Sequence, residues 1–428
     1  MIKSLSKIYF SLLVLSPLVP RFDTADVIAA DYIALTITAI FGVLILIIQK
    51  ETILSRDIKF KTPLILLFFF LIISLMSISF SVNKVTSLVS FIKLFVIVVH
   101  LYLIYALRVY KLLSINYILL LCSILLLVEI STSLYPLYYE IFPVRKYEYR
   151  FAMFLSGITG NRNITAASIV LKIPLVILFI YRVKKNYQKY ALISLLMIAI
   201  INLYFLSSRA ALLSLFIIFM FYVLNAALEI FKEKNIKPFI KRISIASIIL
   251  ALTYFYFSSN IVEDDRSSIQ SRVTSISSND ESASQRLRFY KQALYYFAEN
   301  PVNPVGLGNW KLYSIKLDKE RINSYIIPYV VHNDFLEILI ETSLLGFILY
   351  IGFYLSLGYI ILKLFFKQKE FKDKVEIIML GATLTCYLVD ANLNFPLYRP
   401  IMQVNLLILI TLILSYYNKS FLLDEKNI

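Results

Sequence analysis

Two kinds of side chain in this sequence could carry out chemistry together: arginines, and one of the two histidines. Arg209 lies in FLSSRAALL, Arg286 and Arg288 in SQRLRFYKQAL, and His332 in HNDFLEILIETSLLG, with Arg321 between the last two motifs. A guanidinium stays charged and can donate two hydrogen bonds to a phosphate. Several of them around a pocket could hold a pyrophosphate and stabilise the charge that develops on it as a leaving group. A histidine, whose ordinary pKa lies near neutrality, could take the proton from an attacking hydroxyl.

Each of these residues also has a structural interpretation. A single histidine is more often structural, but His332 is one of only two in the chain, and its place at a predicted helix start favours a function. Arg209, at the predicted end of a span, could equally anchor the chain to lipid headgroups. Arg286 and Arg288 are two residues apart, about 200° around a helix axis, so only one of them can face a given site.

The composition indicates an integral membrane protein. Of 428 residues, 59% are hydrophobic and only 16% are charged, which is too apolar for a soluble domain of this size. The formal charge of +16 does not indicate nucleic-acid binding, because the basic residues are scattered between apolar segments and do not form one stripe. Cys122 and Cys386 lie inside apolar segments, and two histidines without a CxxC motif argue against a metal site.

Twelve apolar segments are predicted to cross the membrane as helices, because lipid offers no partner to open backbone groups. The first is short and resembles a signal peptide, but no convincing small-residue cleavage site precedes Arg21, so it is interpreted as an anchor. The predicted spans are roughly 8–20, 27–48, 63–80, 87–107, 115–134, 164–181, 190–206, 210–231, 243–257, 344–366, 375–393 and 400–417.

The basic residues predict the orientation of the chain. One alternating set of loops is rich in Lys and Arg, as in 182–189, 232–242 and 363–374, whereas the short loops of the other set carry one basic residue each. By the positive-inside rule, the first set and both termini are cytoplasmic. The long stretch around 258–334 is then outside the cytoplasm.

This outer stretch divides the chain into three predicted parts. A Ser-rich linker should be followed by a helix from about Ser282 to Glu299, since a capping-box pattern begins it and Asn300-Pro301 ends it. A second capping pattern, Asp334 with Glu337, predicts a helix that begins just after His332, where its free N–H groups would attract anions. The parts are spans one to nine (1–257), a periplasmic catalytic loop (258–343), and spans ten to twelve with a cytoplasmic tail (344–428).

Two further features have mainly structural interpretations. The GLGNW motif at 306–310 lacks the GxxxxGK[ST] pattern of a phosphate loop, so a tight turn that permits close packing is predicted. Lys93, Glu129 and Lys172 are the few charges inside spans; such residues can be functional, but structural pairing is the favoured interpretation.

At this level of detail the chain resembles the bacterial O-antigen ligase-like family. The resemblance covers about residues 150–400 and rests on GNRN (160–163), SSRAALLS (207–214), RLRFYKQAL followed by NPVGLGNW, HNDFLEILIETSLLG and DANLNFPLYRP (390–400). The family includes lipid A-core:O-antigen ligases, surface-polysaccharide polymerases and protein oligosaccharyltransferases. The resemblance implies an all-α polytopic membrane fold of GT-C-like architecture, with about twelve spans and a large periplasmic loop between spans nine and ten.

The resemblance also implies the site residues. The catalytic residues would be Arg209, Arg286 and His332, although Arg288 competes with Arg286 for the family's R-L-x-x-aromatic pattern. Tyr290 stands at the aromatic position of that pattern, where the family often has Trp. The residues expected to bind substrate are Arg288, Arg321, Asn333 and Tyr290.

The activity implied by the resemblance is an inverting glycosyl transfer that needs no metal and no cofactor. The donor would be a glycan on undecaprenyl pyrophosphate, and the acceptor a hydroxyl of lipid A-core or of another glycan. The reaction would take place at the periplasmic face of the bacterial inner membrane, in contact with membrane lipid and without nucleic acid.

Other functions remain open alternatives. An O-antigen or exopolysaccharide polymerase would share the donor and the catalytic residues, and a protein O-oligosaccharyltransferase would differ in its acceptor. A non-enzymatic flippase for lipid-linked glycans would place its cations along a central cavity and would show internal repeats. Here the cations gather on one side and no sustained repeat is found, which favours chemistry at one face.

Overall fold

The computed structural model of the chain describes residues 1–20, 22, 26–48, 60–233, 236–262, 281–321, 329–368 and 370–422. These residues are largely helical, and eleven of the described helices are long and apolar enough to cross a membrane. The predicted all-α polytopic fold is therefore confirmed.

The main helices follow one another along the chain with short connections. In order they are α1 (Ile2–Leu15), α2 (Ala29–Ile48), α3 (Thr62–Met76), α4 (Lys84–Ala106), α5 (Ile115–Pro136), α6 (Arg162–Arg182), α7 (Asn186–Leu206), α8 (Arg209–Glu233), α9 (Lys237–Ser259), α10 (Glu281–Glu299), α11 (Trp310–Asp318), α12 (Asp334–Lys367), α13 (Phe371–Leu393) and α14 (Pro400–Leu422).

The first predicted span differs from the helix that forms. Helix α1 has 14 residues, and a 3-10 turn that contains Pro17 follows it at Ser16–Leu18. At 1.5 Å per residue, α1 is about 21 Å long, which is short of the roughly 30 Å of a bilayer's hydrocarbon core. For this reason α1 is not among the eleven candidate spans.

The chain forms two compact units. The first comprises Met1–Leu112, Ile276–Tyr359 and Ala391–Gln403, and the second comprises Leu113–Ser275, Ile360–Asp390 and Val404–Ile428.

In the first unit, the GLGNW motif forms the predicted tight turn. Gly306 and Gly308 have φ angles of +85° and +72°, which side chains rarely adopt. A Cβ on Gly306 would lie 2.5 Å from Cβ of Ser81, and one on Gly308 would lie 2.1 Å from Oγ of Ser90. Only glycine can therefore bring this turn so close to helix α4 and the residues before it.

A small buried core orients the outer helices of this unit. Trp310, the only tryptophan, is 1% exposed and packs with residues from α10, α12 and the intervening loops. The core consists of Ala293, Val305, Trp310, Val331 and Ile340. The helix predicted at 282–299 is confirmed as α10, whereas the linker predicted before it lies mainly at 263–280, outside the described residues.

Helix α12 is broken within its length. Ser343 has a φ angle of +64°, so a short helical segment begins at Asp334 and a span-length segment continues to Lys367. The short segment follows His332 directly and contains the acidic residues that fasten the loops around it.

The charges predicted inside the spans are paired. In the second unit, Nζ of Lys172 lies 2.9 Å and 3.1 Å from the two carboxylate oxygens of Glu129, and both side chains are almost completely buried. In the first unit, Nζ of Lys93 lies 3.0 Å from Oδ2 of Asp26. The structural interpretation of these charges agrees with this pairing.

Candidate functional site

The two histidines have different environments in the first unit. Nδ1 of His100 lies 2.9 Å from the hydroxyl of Tyr9, and Nε2 lies 2.9 Å from the carbonyl oxygen of Leu35. Both ring nitrogens of His100 are thus occupied within the helix bundle. Nδ1 of His332 is buried and has no hydrogen-bond partner among the described residues. His332 is therefore the histidine whose tautomer no protein hydrogen bond at Nδ1 fixes.

The backbone at His332 is held in an unusual conformation. Its φ angle is +61°, in the left-handed region, which costs free energy for a residue with a side chain. The next residue, Asn333, caps α12, because its Oδ1 accepts a hydrogen bond from the amide of Leu336 at 3.0 Å. His332 thus lies just outside the helix, directly before its cap.

The predicted capping pattern of Asp334 and Glu337 is wrong. Asn333 supplies the cap, and the two acids bind other backbone groups instead. Oε2 of Glu337 accepts from the amide of Val331 at 2.8 Å, and Oδ2 of Asp334 accepts from the amide of Leu397 at 2.9 Å. Both acids are buried, so their oxygens replace water for backbone N–H groups on the two loops next to His332.

Two phenylalanine rings enclose the imidazole of His332. The ring of Phe289 is nearly parallel to it, with an angle of 14° and 6.3 Å between centroids. The ring of Phe395 meets it edge to face, at 78° and 5.1 Å. Arg288 and Arg399 lie over these two rings, at 5.3 Å and 4.7 Å from the respective centroids. The imidazole is therefore held among aromatic rings that arginines cover.

This environment keeps His332 neutral. Burial has the largest effect, and the positive charges of Arg286 and Arg399 add to it; together they lower the pKa of His332 from 6.5 to about 4. Both effects disfavour the charged imidazolium. At neutral pH the imidazole is therefore ready to accept a proton.

The two competing arginines of α10 point to different partners. Nη2 of Arg288 lies 2.9 Å from Oδ2 of Asp318, and Nε2 of Gln292 binds the other carboxylate oxygen at 3.1 Å. Nη2 of Arg286 lies 3.5 Å from Oδ1 of Asn394, and the charge of Arg286 acts on His332. The angle of about 200° between positions two residues apart accounts for this division.

Tyr290 fastens α10 to the loop that carries His332. Its hydroxyl lies 3.0 Å from the carbonyl oxygen of His332 and 2.9 Å from that of Asn392, and donates to these acceptors. Burial raises the pKa of Tyr290 against the opposing effects of Arg286 and Asn333. The hydroxyl is therefore a hydrogen-bond donor at neutral pH.

The remaining predicted site residues lie elsewhere or outside the described side chains. Arg209 is the first residue of α8, in the second unit, and follows Ser207, which has a φ angle of +50° and ends α7. Arg321 ends a 3-10 turn at Lys319–Arg321, and its side chain is outside the described part of the chain.

Sequence reasoning did not assign Phe289, Phe395, Asn394 or Arg399 to the site. Three of these belong to DANLNFPLYRP, a motif that supported the family resemblance, so the signal was present without a role attached to it. No spacing rule brings residue 395 to residue 332, because the contact depends on tertiary packing. The described residues contain no group of three or more His, Cys, Asp and Glu side chains arranged to hold a metal ion.

The comparison with protein families agrees with these motifs. Residues 192–351 match the family model described as O-Antigen ligase, and this range contains Arg209, Arg286 and His332. The match confirms the resemblance to the O-antigen ligase-like family and supports a glycosyltransferase-like ligase or polymerase function on lipid-linked glycans. No curated protein matches the chain.

Proposed function

We propose that this protein is an inverting O-antigen ligase, which moves a glycan from undecaprenyl pyrophosphate to a hydroxyl of lipid A-core. The observation that carries the proposal is the neutral imidazole of His332 beside the charge of Arg286. A neutral base and a fixed cation are the two groups that displacement of a diphosphate by a hydroxyl requires.

The proposed step transfers one proton and one glycosyl group. His332 takes the proton of the acceptor hydroxyl while the acceptor oxygen bonds to the anomeric carbon. The bond from that carbon to the diphosphate oxygen breaks on the opposite face, and its electron pair stays on undecaprenyl pyrophosphate. Arg286 stabilises the negative charge on this leaving group, and Arg209 is proposed as a further catalytic residue from the family resemblance. No metal or cofactor takes part in this scheme.

Donor binding would bring the histidine closer to the ideal strength for a base. With pKa about 4, His332 is a weaker base than the near-neutral group that catalysis favours. A bound diphosphate would offset the charges of Arg286 and Arg399, so the pKa of His332 would rise on binding. The base would then be strongest when the donor is in place.

The distribution of basic loops supports the proposed orientation. Lys and Arg collect in one alternating set of loops, which the positive-inside rule assigns to the cytoplasm together with both termini. The proposed catalytic loop, 258–343, then lies on the periplasmic side of the inner membrane, between spans within 1–257 and 344–428.

Transfer by the purified full-length protein tests the activity. The donor is a synthetic undecaprenyl-pyrophosphate glycan, and each reaction is run with and without EDTA. Loss of transfer in His332→Ala and Arg209→Ala, with transfer unaffected by EDTA, is the expected result. Full activity of both variants, or loss of activity in EDTA, contradicts the proposal. Arg150→Gln is the control, since Arg150 is exposed and pairs with Glu148 at 2.7 Å.

The acceptor is tested separately, since a polymerase would use the same donor. The surface glycan of a deletion strain distinguishes the two. Long glycan chains left on the lipid carrier indicate a lost ligase, as proposed here. Acceptors capped with a single repeat indicate a lost polymerase.

A further inference from the structure

Arg399 brings a second positive charge to His332, from a different segment of the first unit. Its guanidinium carbon lies 4.7 Å from the centroid of the Phe395 ring, and that ring meets the imidazole edge to face at 5.1 Å. After the larger effect of burial, Arg286 and then Arg399 lower the pKa of His332. The imidazole therefore lies within the field of two arginines.

The segment that carries Arg399 is fastened to α12 at two points. The amide of Leu397 donates to Oδ2 of Asp334 at 2.9 Å, and the hydroxyl of Tyr398 donates to Oε2 of Glu341 at 2.8 Å. Both acids are buried, where a charge-assisted hydrogen bond is strong and specific in geometry. The position of Arg399 relative to His332 is thus set by the helix that follows His332.

The backbone at Arg399 begins the last helix. Its carbonyl oxygen accepts hydrogen bonds from the amides of Met402 and Gln403, both at 3.0 Å. Arg399 is therefore at the start of α14, outside the membrane-spanning length of that helix.

The nearest acid that responds to Arg399 has its own cation. Burial opposes ionisation of Asp26, but a backbone hydrogen bond from Ile28, Lys93 and the charge of Arg399 lower the pKa of Asp26 overall. Oδ2 of Asp26 lies 3.0 Å from Nζ of Lys93. Neutralising Asp26 is consequently not a task that requires Arg399.

A guanidinium placed over a ring is suited to bind an anion. Stacking fixes the plane of the group but uses none of its N–H donors, which point outward within that plane. Phosphate oxygens can accept two parallel hydrogen bonds from such a fork. The stacked position over Phe395 would orient Arg399 toward a ligand beside His332.

We propose that Arg399 is a second diphosphate-binding residue, which holds the lipid-linked donor together with Arg286. This inference rests on the proposed function and adds a residue to it. The shared chemistry is a diphosphate recognised by two guanidinium groups on either side of the base.

Binding of undecaprenyl pyrophosphate to the full-length protein in nanodiscs tests the inference. Arg399→Gln should raise the Kd at least tenfold, and Arg399→Lys should raise it less, because Lys keeps the charge but loses the planar fork. His332→Gln should keep the Kd of the wild type within about threefold, since the imidazole binds no phosphate in this scheme. The control is Arg150→Gln, which removes another guanidinium from a phenylalanine ring, that of Phe151 at 5.0 Å.

Competition experiments identify the source of the phosphate. Inorganic pyrophosphate should compete with undecaprenyl pyrophosphate in the wild type, and phosphatidylglycerol in the nanodisc should not. Equal competition by phosphatidylglycerol would show a general headgroup site and overturn the inference. An unchanged Kd in Arg399→Gln overturns it as well. Fluorescence of the buried Trp310 monitors folding, and if the Gln variant unfolds, an unchanged Kd in Arg399→Lys is the overturning result.

Two outcomes separate this inference from the proposed function. Arg399-dependent binding of undecaprenyl pyrophosphate without any glycan transfer would refute the function and leave the binding role intact. Normal glycan transfer with an unchanged donor KM in Arg399→Gln would refute the binding role and leave the function intact.

Discussion

The guanidinium of Arg288 is bound to the carboxylate of Asp318, with 2.9 Å between Nη2 and Oδ2. Asp318 is 4% exposed, and the side chain of Arg288 is 27% exposed, so the pair is partly shielded from water. This ion pair joins α10 to α11 and favours a structural role for Arg288. Arg286, on another side of α10, then remains as the arginine nearest in effect to His332.

Substitution of the two arginines should separate these roles. Arg286→Gln should lower kcat about 10²–10³-fold, since it removes a charge that stabilises the leaving group. Arg288→Gln should lower the free energy of unfolding by about 1–2 kcal/mol, because Asp318 loses a charged partner. Glycan transfer and thermal unfolding of both variants are the measurements. A larger loss of kcat in Arg288→Gln than in Arg286→Gln would reverse the assignment.

The pKa of His332 predicts a pH dependence of stability. Burial and two arginines lower the pKa in the folded chain to about 4, whereas the unfolded chain has the ordinary value of 6.5. The folded chain therefore binds fewer protons, and this contribution to stability is complete above pH 6.5 and is lost as the pH falls toward 4. Thermal unfolding between pH 7 and 4, with His332→Gln as the reference, measures it. Parallel curves for the two proteins would contradict the low pKa.

The same pKa can be read directly, because the chain has only two histidines. Protein labelled with ¹⁵N-histidine should give two imidazole environments, and His332→Gln assigns one of them. The His332 signal should titrate near pH 4, and Phe395→Ala should move this titration toward 6.5, because removal of the ring admits water. Titration of His332 near 6.5 in the wild type would contradict its enclosure.

The sequence predicted the fold from its apolar segments, which have the length that a bilayer demands. It also predicted α10 and the glycine turn, because their signals are local: a cap, a stop and two glycines. The enclosure of His332 by Phe289 and Phe395 was not predictable, since it joins residues far apart in the chain. The cap failed for a related reason. Asn333 and Asp334 are both good capping residues, and only the loop at Leu397 explains why Asp334 is used elsewhere.

Glu341 should be essential to the stability of the first unit. Oε1 accepts from the amide of Trp310 at 3.1 Å, and Oε2 accepts from the hydroxyl of Tyr398 at 2.8 Å. Glu341→Ala would leave two buried donors without an acceptor, at a cost of about 2–5 kcal/mol. Glu341→Gln should cost much less, because its carbonyl oxygen can serve Trp310 and its amide can donate to Tyr398. Unfolding followed by Trp310 fluorescence measures both, and equal losses would contradict this account.

The ion pair between Glu129 and Lys172 should stabilise the second unit without serving catalysis. Ser168 binds both partners: its hydroxyl donates to Oε1 of Glu129 at 2.9 Å, and Nζ of Lys172 lies 2.8 Å from that hydroxyl. Lys172→Met should cost about 3–5 kcal/mol, since it leaves a buried carboxylate unpaired, whereas Glu129→Met with Lys172→Met should recover most of that loss. The measurements are thermal unfolding and glycan transfer. A double variant that is stable but inactive would show that the pair has a function of its own, because restored packing would then fail to restore the chemistry.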